Sequence, residues 1–304
     1  MVGRSTSKIL ETAMCDELTN KDAEEYLRRN GLTRREFNIR GTGVALAMLL
    51  PTVANALDVV EQDVMVETPD GEADCYFVHP ASGNHAAVIV WPDIVSIRPA
   101  FRMMGKRLAE SGYSVLVVNP YYRTARGAVV PEGKTFRDPG IRDLLMPHAR
   151  TLSPKTCVTD GRAFVEYLDK QPTVDNGRKI GTTGYCMTGS YTLRLAAAIP
   201  DRIGAGGSFH GGGLATDAED SPHLLTSQMN AGFLIAIAEN DDERNPDEKV
   251  LLREAFDKAD VEAEIEVYEG TLHGWCPPDS AVYNEEQAER AWSRLLALFE
   301  RELS

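Results

Sequence analysis

The chain has 304 residues, 43% of them hydrophobic and 26% charged, with a formal net charge of −14. That length permits one large α/β domain or two small ones, and the acidic balance argues against nucleic acid or an anionic membrane as a main partner. The cysteines (Cys15, Cys75, Cys157, Cys186, Cys276) form no C-x-x-C pair and the histidines no H-E-x-x-H spacing, so neither a zinc ribbon, a thioredoxin motif nor an H-E-x-x-H metal site is present, and the site chemistry read below calls for no metal or organic cofactor.

In chain order, the first feature is TRREFNIR at 33–40, followed by the mostly apolar stretch 41–53 and then Ala54-Asn55-Ala56. Paired Arg34 and Arg35, Phe37, a modest apolar core and an A-x-A exit have the layout of a twin-arginine export signal. The apolar run falls short of the ~20 residues a membrane-spanning helix needs, so no stable membrane span is expected. Residues 1–56 therefore read as an N-terminal extension, with the twin-arginine translocon as a partner and a periplasmic or secreted destination. The alternative is an amphipathic or buried helix in a cytoplasmic protein. Met14, in MCDEL, is a candidate alternative start.

Residues 57–304 read as one domain. Val59–Glu67 alternates apolar and polar residues, Pro69-Asp70-Gly71 makes a turn, and Ala73–Val78 returns, giving an antiparallel start. Ala86–Trp91 is a continuous apolar run, as expected of a strand buried on both faces. Arg98–Ser111 has helical periodicity through Phe101, Met104 and Leu108, stopped by Gly112. Tyr113–Val118 is another buried strand. Residues 119–155 are proline-rich loop with a short helix near Arg142–Met146, more an active-site border than a linker. Then follow a helix at Thr159–Asp169, a strand at Lys179–Thr183, a helix at Tyr191–Ile199 and strands at Ile203–Phe209 and Phe233–Ala238. A helix at Pro246–Ala259, a strand at Ala263–Tyr268 and a terminal helix at Glu285–Leu303 complete the chain. Such alternation predicts an α/β fold: about eight strands in a mostly parallel sheet, covered by helices on both faces.

Ligands of open parallel sheets bind beyond the carboxyl ends of the strands. Cys186, in GYCMTGS, follows one such end. The segment matches the nucleophile elbow G-x-S-x-G with Cys for Ser, except that Thr188 stands where the pattern has glycine and Gly189 comes one place late. A sulfur there would sit at a helix N-terminus, which favours thiolate. A lone cysteine after a strand is more often a packing residue. Asp241 and Asp242, however, follow the strand FLIAIA, and His273 follows EIEVY, so the order is Cys, Asp, His, each after its own strand. In that arrangement the imidazole takes the thiol proton, and the carboxylate fixes its tautomer.

WPDI (Trp91–Ile94), NPYYR (Asn119–Arg123), GYCM, the acidic loop at 240–242 and HGW followed by a terminal helix together resemble the dienelactone hydrolase family of α/β-hydrolases, over roughly residues 59–303. The resemblance implies a Cys-His-Asp triad of Cys186, His273 and Asp241, with Asp242 as the alternative acid. It also implies an oxyanion hole from the backbone N–H groups of Met187 and Ile94. Asp93 stands where the family has an acidic residue touching the resting cysteine. Arg123 is the candidate for gripping a substrate carboxylate, while Trp275, Cys276 and Pro277 occupy the region after His273 where the family carries a base. Tyr122, His210 and Trp275 are candidates for the pocket wall, with core packing as the alternative for each. The implied activity is hydrolysis of a small lactone or carboxylic ester through a thioester. The competing class is a thiol redox or non-catalytic binding protein, for which a Cys186–Cys276 disulfide would be the mark.

Overall fold

The computed structural model describes residues 50–131 and 134–304, together with 21, 22, 24, 25 and 28. The paired arginines, the apolar stretch up to residue 49 and Met14 lie outside the described residues; Ala54-Asn55-Ala56 belongs to an irregular lead into the first strand. No described helix is long and apolar enough to cross a membrane.

The eight predicted strands form one sheet: β1 (Val59–Thr68), β2 (Gly71–Pro80), β3 (Ala87–Trp91), β4 (Ser114–Val118), β5 (Ile180–Tyr185), β6 (Ile203–Phe209), β7 (Gly232–Ala238) and β8 (Ala263–Tyr268). Their order is β1-β2-β4-β3-β5-β6-β7-β8. Pairing is antiparallel for β1/β2 and β2/β4 and parallel from β4 through β8. Every residue of β3, β4, β5 and β6 is buried, which explains their unbroken apolar or small-residue composition. Edge strand β1 has one wet face, hence its alternation.

Seven helices follow among the described residues: α1 (Pro99–Glu110), α2 (Ile141–Ala149), α3 (Pro154–Asp169), α4 (Gly189–Ala198), α5 (Glu239–Arg244), α6 (Glu248–Ala259) and α7 (Glu285–Glu302). Helices α1 and α7 cover one face with Phe101, Met104, Leu108, Leu295 and Phe299. Helices α3, α4 and α6 cover the other with Phe164, Leu168, Leu195, Leu252 and Phe256. Each such buried side chain contributes about 1.5–3 kcal/mol. Arg107 ties α1 to α7 with two 2.6 Å bonds to Glu289.

Three boundaries differ from expectation. Helix α3 starts five residues before the periodic signal, because Ser153 and Thr156 form a capping box and Pro154 takes the first turn, where it needs no N–H partner. Pro246 lies outside α6, which begins at Glu248. The acidic run after β7 folds as the short helix α5, with Glu239, Asp241 and Asp242 in its first turn, where carboxylates complement the helix dipole.

Candidate active site

Cys186 occupies the turn between β5 and α4, in a 3-10 segment spanning Cys186–Thr188. Its φ of 57° is left-handed, a conformation that costs a residue with a side chain about 1–3 kcal/mol and that recurs at functional turns. Two glycines permit it. A Cβ on Gly184 would stand 2.2 Å from the carbonyl oxygen of Thr188, and one on Gly189 would stand 2.5 Å from Cα of Gly211. The second elbow glycine is thus functional one place late.

Thr188, the departure from the pattern, does not crowd the turn. Its buried hydroxyl accepts the N–H of Tyr185 at 3.0 Å. The hydroxyl lies 2.9 Å from the carbonyl of Trp91 and 3.0 Å from those of Pro92 and Tyr185, donating its one proton among them. It therefore staples the nucleophile turn to the end of β3. Thr188→Val, which keeps the shape and removes the hydroxyl, is expected to cost about 2 kcal/mol and to lower Tm by about 4–8 °C in a thermal melt. An unchanged Tm would remove the staple.

The candidate oxyanion residues meet at the same place. Ile94 follows β3 and Met187 follows Cys186, and the Tyr121 hydroxyl donates to the Ile94 carbonyl at 2.9 Å while lying 3.7 Å from Sδ of Met187. Tyr121 is a site residue that the sequence reading missed in favour of its neighbour.

His273 is nearly buried on the loop after β8. Its Nδ1 is 2.7 Å from Oδ2 of Asp241, and its backbone N–H donates to Oδ1 of Asn240 at 2.8 Å. Asp242 turns to Lys249 at 2.5 Å, so Asp241 is the acid that reaches the imidazole. Burial alone would lower the His273 pKa, but Asp241 and Cys186, by charge and hydrogen bonding, raise it well above the ordinary value. The amide of Asn240 also donates to Asp22 at 2.9 Å, and Arg244 pairs with the same carboxylate, so the described part of the N-terminal extension touches helix α5, which carries Asp241.

Four of the candidate substrate-binding residues are engaged elsewhere. Tyr122 and Arg123 do not offer their polar groups to Cys186. The Tyr122 hydroxyl bonds Thr68 and Asp160 at 2.7 and 2.8 Å. The Arg123 guanidinium bonds Asp160 at 2.8 and 2.6 Å and Asp70 at 3.0 and 2.6 Å, so it serves the β1–β2 turn. His210 and Trp275 are wholly buried, as the packing alternative for each has it. Trp275 stacks on Tyr268 at 4.8 Å, and His210 packs edge-on against His273 at 5.1 Å, with burial and His273 holding its pKa well below the ordinary value.

The carboxylate of Asp93 accepts from Arg98 through both oxygens, at 2.7 and 3.0 Å, and from the N–H of Val95 at 2.9 Å. Burial raises its pKa and Arg98 pulls it back, while Cys186 is near enough to act on it through charge. Cys75, Cys157, Cys186 and Cys276 are separate buried thiols, so the structure holds no Cys186–Cys276 bond. Among the described residues no cluster of three or more His, Cys, Asp or Glu could hold a metal ion.

A family model described as the dienelactone hydrolase family matches residues 73–303. Carboxymethylenebutenolidase of Rhodococcus opacus is 25% identical over 238 residues, 75% of this chain and 86% of that protein. Protein usf of Aquifex pyrophilus is 28% identical over 234 residues, 75% and 93% of the two chains. Among solved structures, a dienelactone hydrolase-like promiscuous phosphotriesterase from metagenomic libraries superposes with a TM-score of 0.67 at 17% identity, over 81% of this chain and 99% of that one. Dienelactone hydrolase from Anabaena variabilis superposes with a TM-score of 0.57 at 15% identity, with the same coverage. These structures share the fold of an eight-stranded, mostly parallel sheet wrapped by helices. With the sheet, the elbow and the order of its site residues in place, and with the family match running over most of its length, the chain belongs to the dienelactone hydrolase family.

Proposed function

We propose that the protein hydrolyses a small lactone or carboxylic ester with Cys186 as nucleophile, through a thioester. The observation that carries this reading is the 2.7 Å contact between the Asp241 carboxylate and Nδ1 of His273, with Cys186 near enough to act on the same imidazole and raise its pKa.

The chemistry follows from that arrangement. His273 takes the thiol proton and Sγ attacks the carbonyl carbon, so that an S–C bond forms and the carbonyl π electrons move to oxygen. The N–H groups of Met187 and Ile94 receive that oxyanion, and donors fixed before the reaction cost no reorganisation as the charge develops. Collapse breaks the C–O bond, and the imidazolium hands its proton to the leaving alkoxide. A water, deprotonated by His273, then attacks the thioester; the S–C bond breaks, the acid leaves, and thiolate and imidazolium are restored. Asp241 fixes the tautomer throughout.

An intact-mass measurement tests the thioester. Mixing enzyme with a slowly deacylating activated ester should add one acyl group per chain, mapped to the peptide containing Cys186 and released by hydroxylamine at neutral pH. Acylation elsewhere, or a hydroxylamine-resistant adduct, would refute the thioester.

A further inference from the structure

Asp93 follows Pro92, whose carbonyl is bonded by Thr188 of the nucleophile turn, and it belongs to a cluster of three charges that the reaction above does not use. Arg98, just before α1, is nearly buried, with 10% of its side chain exposed. A guanidinium has five N–H donors, and here all five are taken. Nη1 donates to Oδ1 of Asp93 at 2.7 Å and to the carbonyl of Ser96 at 3.2 Å. Nη2 donates to Oδ2 of Asp93 at 3.0 Å and to Oδ1 of Asp279 at 2.9 Å. Nε donates to Oδ2 of Asp279 at 2.5 Å. The cation is therefore closed to a substrate carboxylate, and one positive charge meets two negative ones, leaving the cluster at −1.

Its position makes that charge matter. Asp93 immediately precedes Ile94, the candidate oxyanion donor, and acts through charge on Cys186. A cleft of about 510 Å³ borders Arg98 and is lined by neither Cys186 nor His273. In that cleft Arg102 is paired with Asp63 at 2.6 Å, while Asp74 accepts from Asn119 and from the N–H of Gly127. Charges buried from solvent are weakly screened. A second negative charge on an acyl group beside this cluster would thus meet net repulsion and no free N–H of Arg98.

We propose that the Arg98–Asp93–Asp279 cluster selects uncharged acyl groups, so that the natural substrate is a neutral lactone or ester. This rests on the hydrolase reading above. Two esters of one chain length test it: 4-nitrophenyl pentanoate, and the same ester with a carboxylate at the acyl terminus. The ratio of their kcat/KM values within one protein cancels general losses of folding or activity. Wild type should favour the neutral ester by on the order of tenfold or more. Asp279→Asn, which brings the cluster to zero net charge and loosens two donors of Arg98, should cut that preference by about tenfold. Asp279→Glu, which keeps the charge, should retain it. Equal kcat/KM for both esters in wild type, or an unchanged ratio in Asp279→Asn, overturns the selectivity and leaves the hydrolase reading standing. Turnover of neither ester overturns both.

Discussion

Cys186→Ala is expected to fold and to lose at least about 10⁴-fold in kcat/KM on small activated esters, the scale on which a nucleophile's removal leaves only binding and oxyanion stabilisation. The fold should survive because the elbow is held by other groups. Gly184 and Gly189 allow the close approach of β5 and α4, and the Thr188 hydroxyl binds the turn to Trp91 and Pro92. Alanine has a Cβ like cysteine and bears the same left-handed φ at the same cost. The variant therefore separates chemistry from architecture. Circular dichroism and a melt near the wild-type value, with turnover at the level of the uncatalysed reaction plus a small residue, are the expected pair of results. A native melt with turnover within tenfold of wild type would transfer the nucleophilic role to another group. Cys75, Cys157 and Cys276 are poor candidates for it, since burial pushes each of their thiols well above the ordinary value.

The sheet and the placement of Cys186, Asp241 and His273 just after their strands were legible in the sequence because both depend on short-range signals. A strand buried on both faces must be apolar or small along its whole length, and residues just past its carboxyl end must face the crevice. Cys186, Asp241 and His273 each sit within a few residues of β5, β7 and β8, so strand ends located them. What escaped were features set by parity or by distance. Tyr121 and Tyr122 are adjacent and chemically alike, and only the path of the chain after β4 decides that Tyr121 reaches Ile94 while Tyr122 reaches Asp160. Arg98 and Asp279 are separated by 181 positions, and no local pattern announces that they share a salt bridge. Asn240 opens the acidic loop at 240–242, yet it is buried and holds the His273 backbone. Thr188 was visible as an exception to a motif. Its hydroxyl's partners come from β3, far off in sequence, so its role could not be read locally.

Asp241→Asn is expected to lower kcat/KM on the order of 10³-fold, by removing the charge that stabilises the imidazolium and fixes its tautomer. The change should also appear in pH dependence, with a definite sign. In the folded protein His273 holds its proton to a pH well above the ordinary value, because Asp241 and Cys186 outweigh the opposing effect of burial. A base whose folded pKa is raised contributes stability that is fully present below its unfolded pKa of about 6.5 and is lost as pH rises through the folded pKa. The stability gap between wild type and Asp241→Asn should therefore be widest from about pH 5 to 6.5 and narrow as the pH climbs. Burial, ahead of His273, holds the pKa of the neighbouring His210 well below its ordinary value, and that burial is common to both proteins. Kinetics should move the same way. The alkaline limb of kcat/KM, where the imidazolium that protonates the leaving group is lost, should shift to lower pH in the variant. Urea titrations and rate profiles across this range measure both effects. A stability gap that widened with pH would mean that Asp241 does not hold a proton on His273, and the carboxylate would then have to act by position alone.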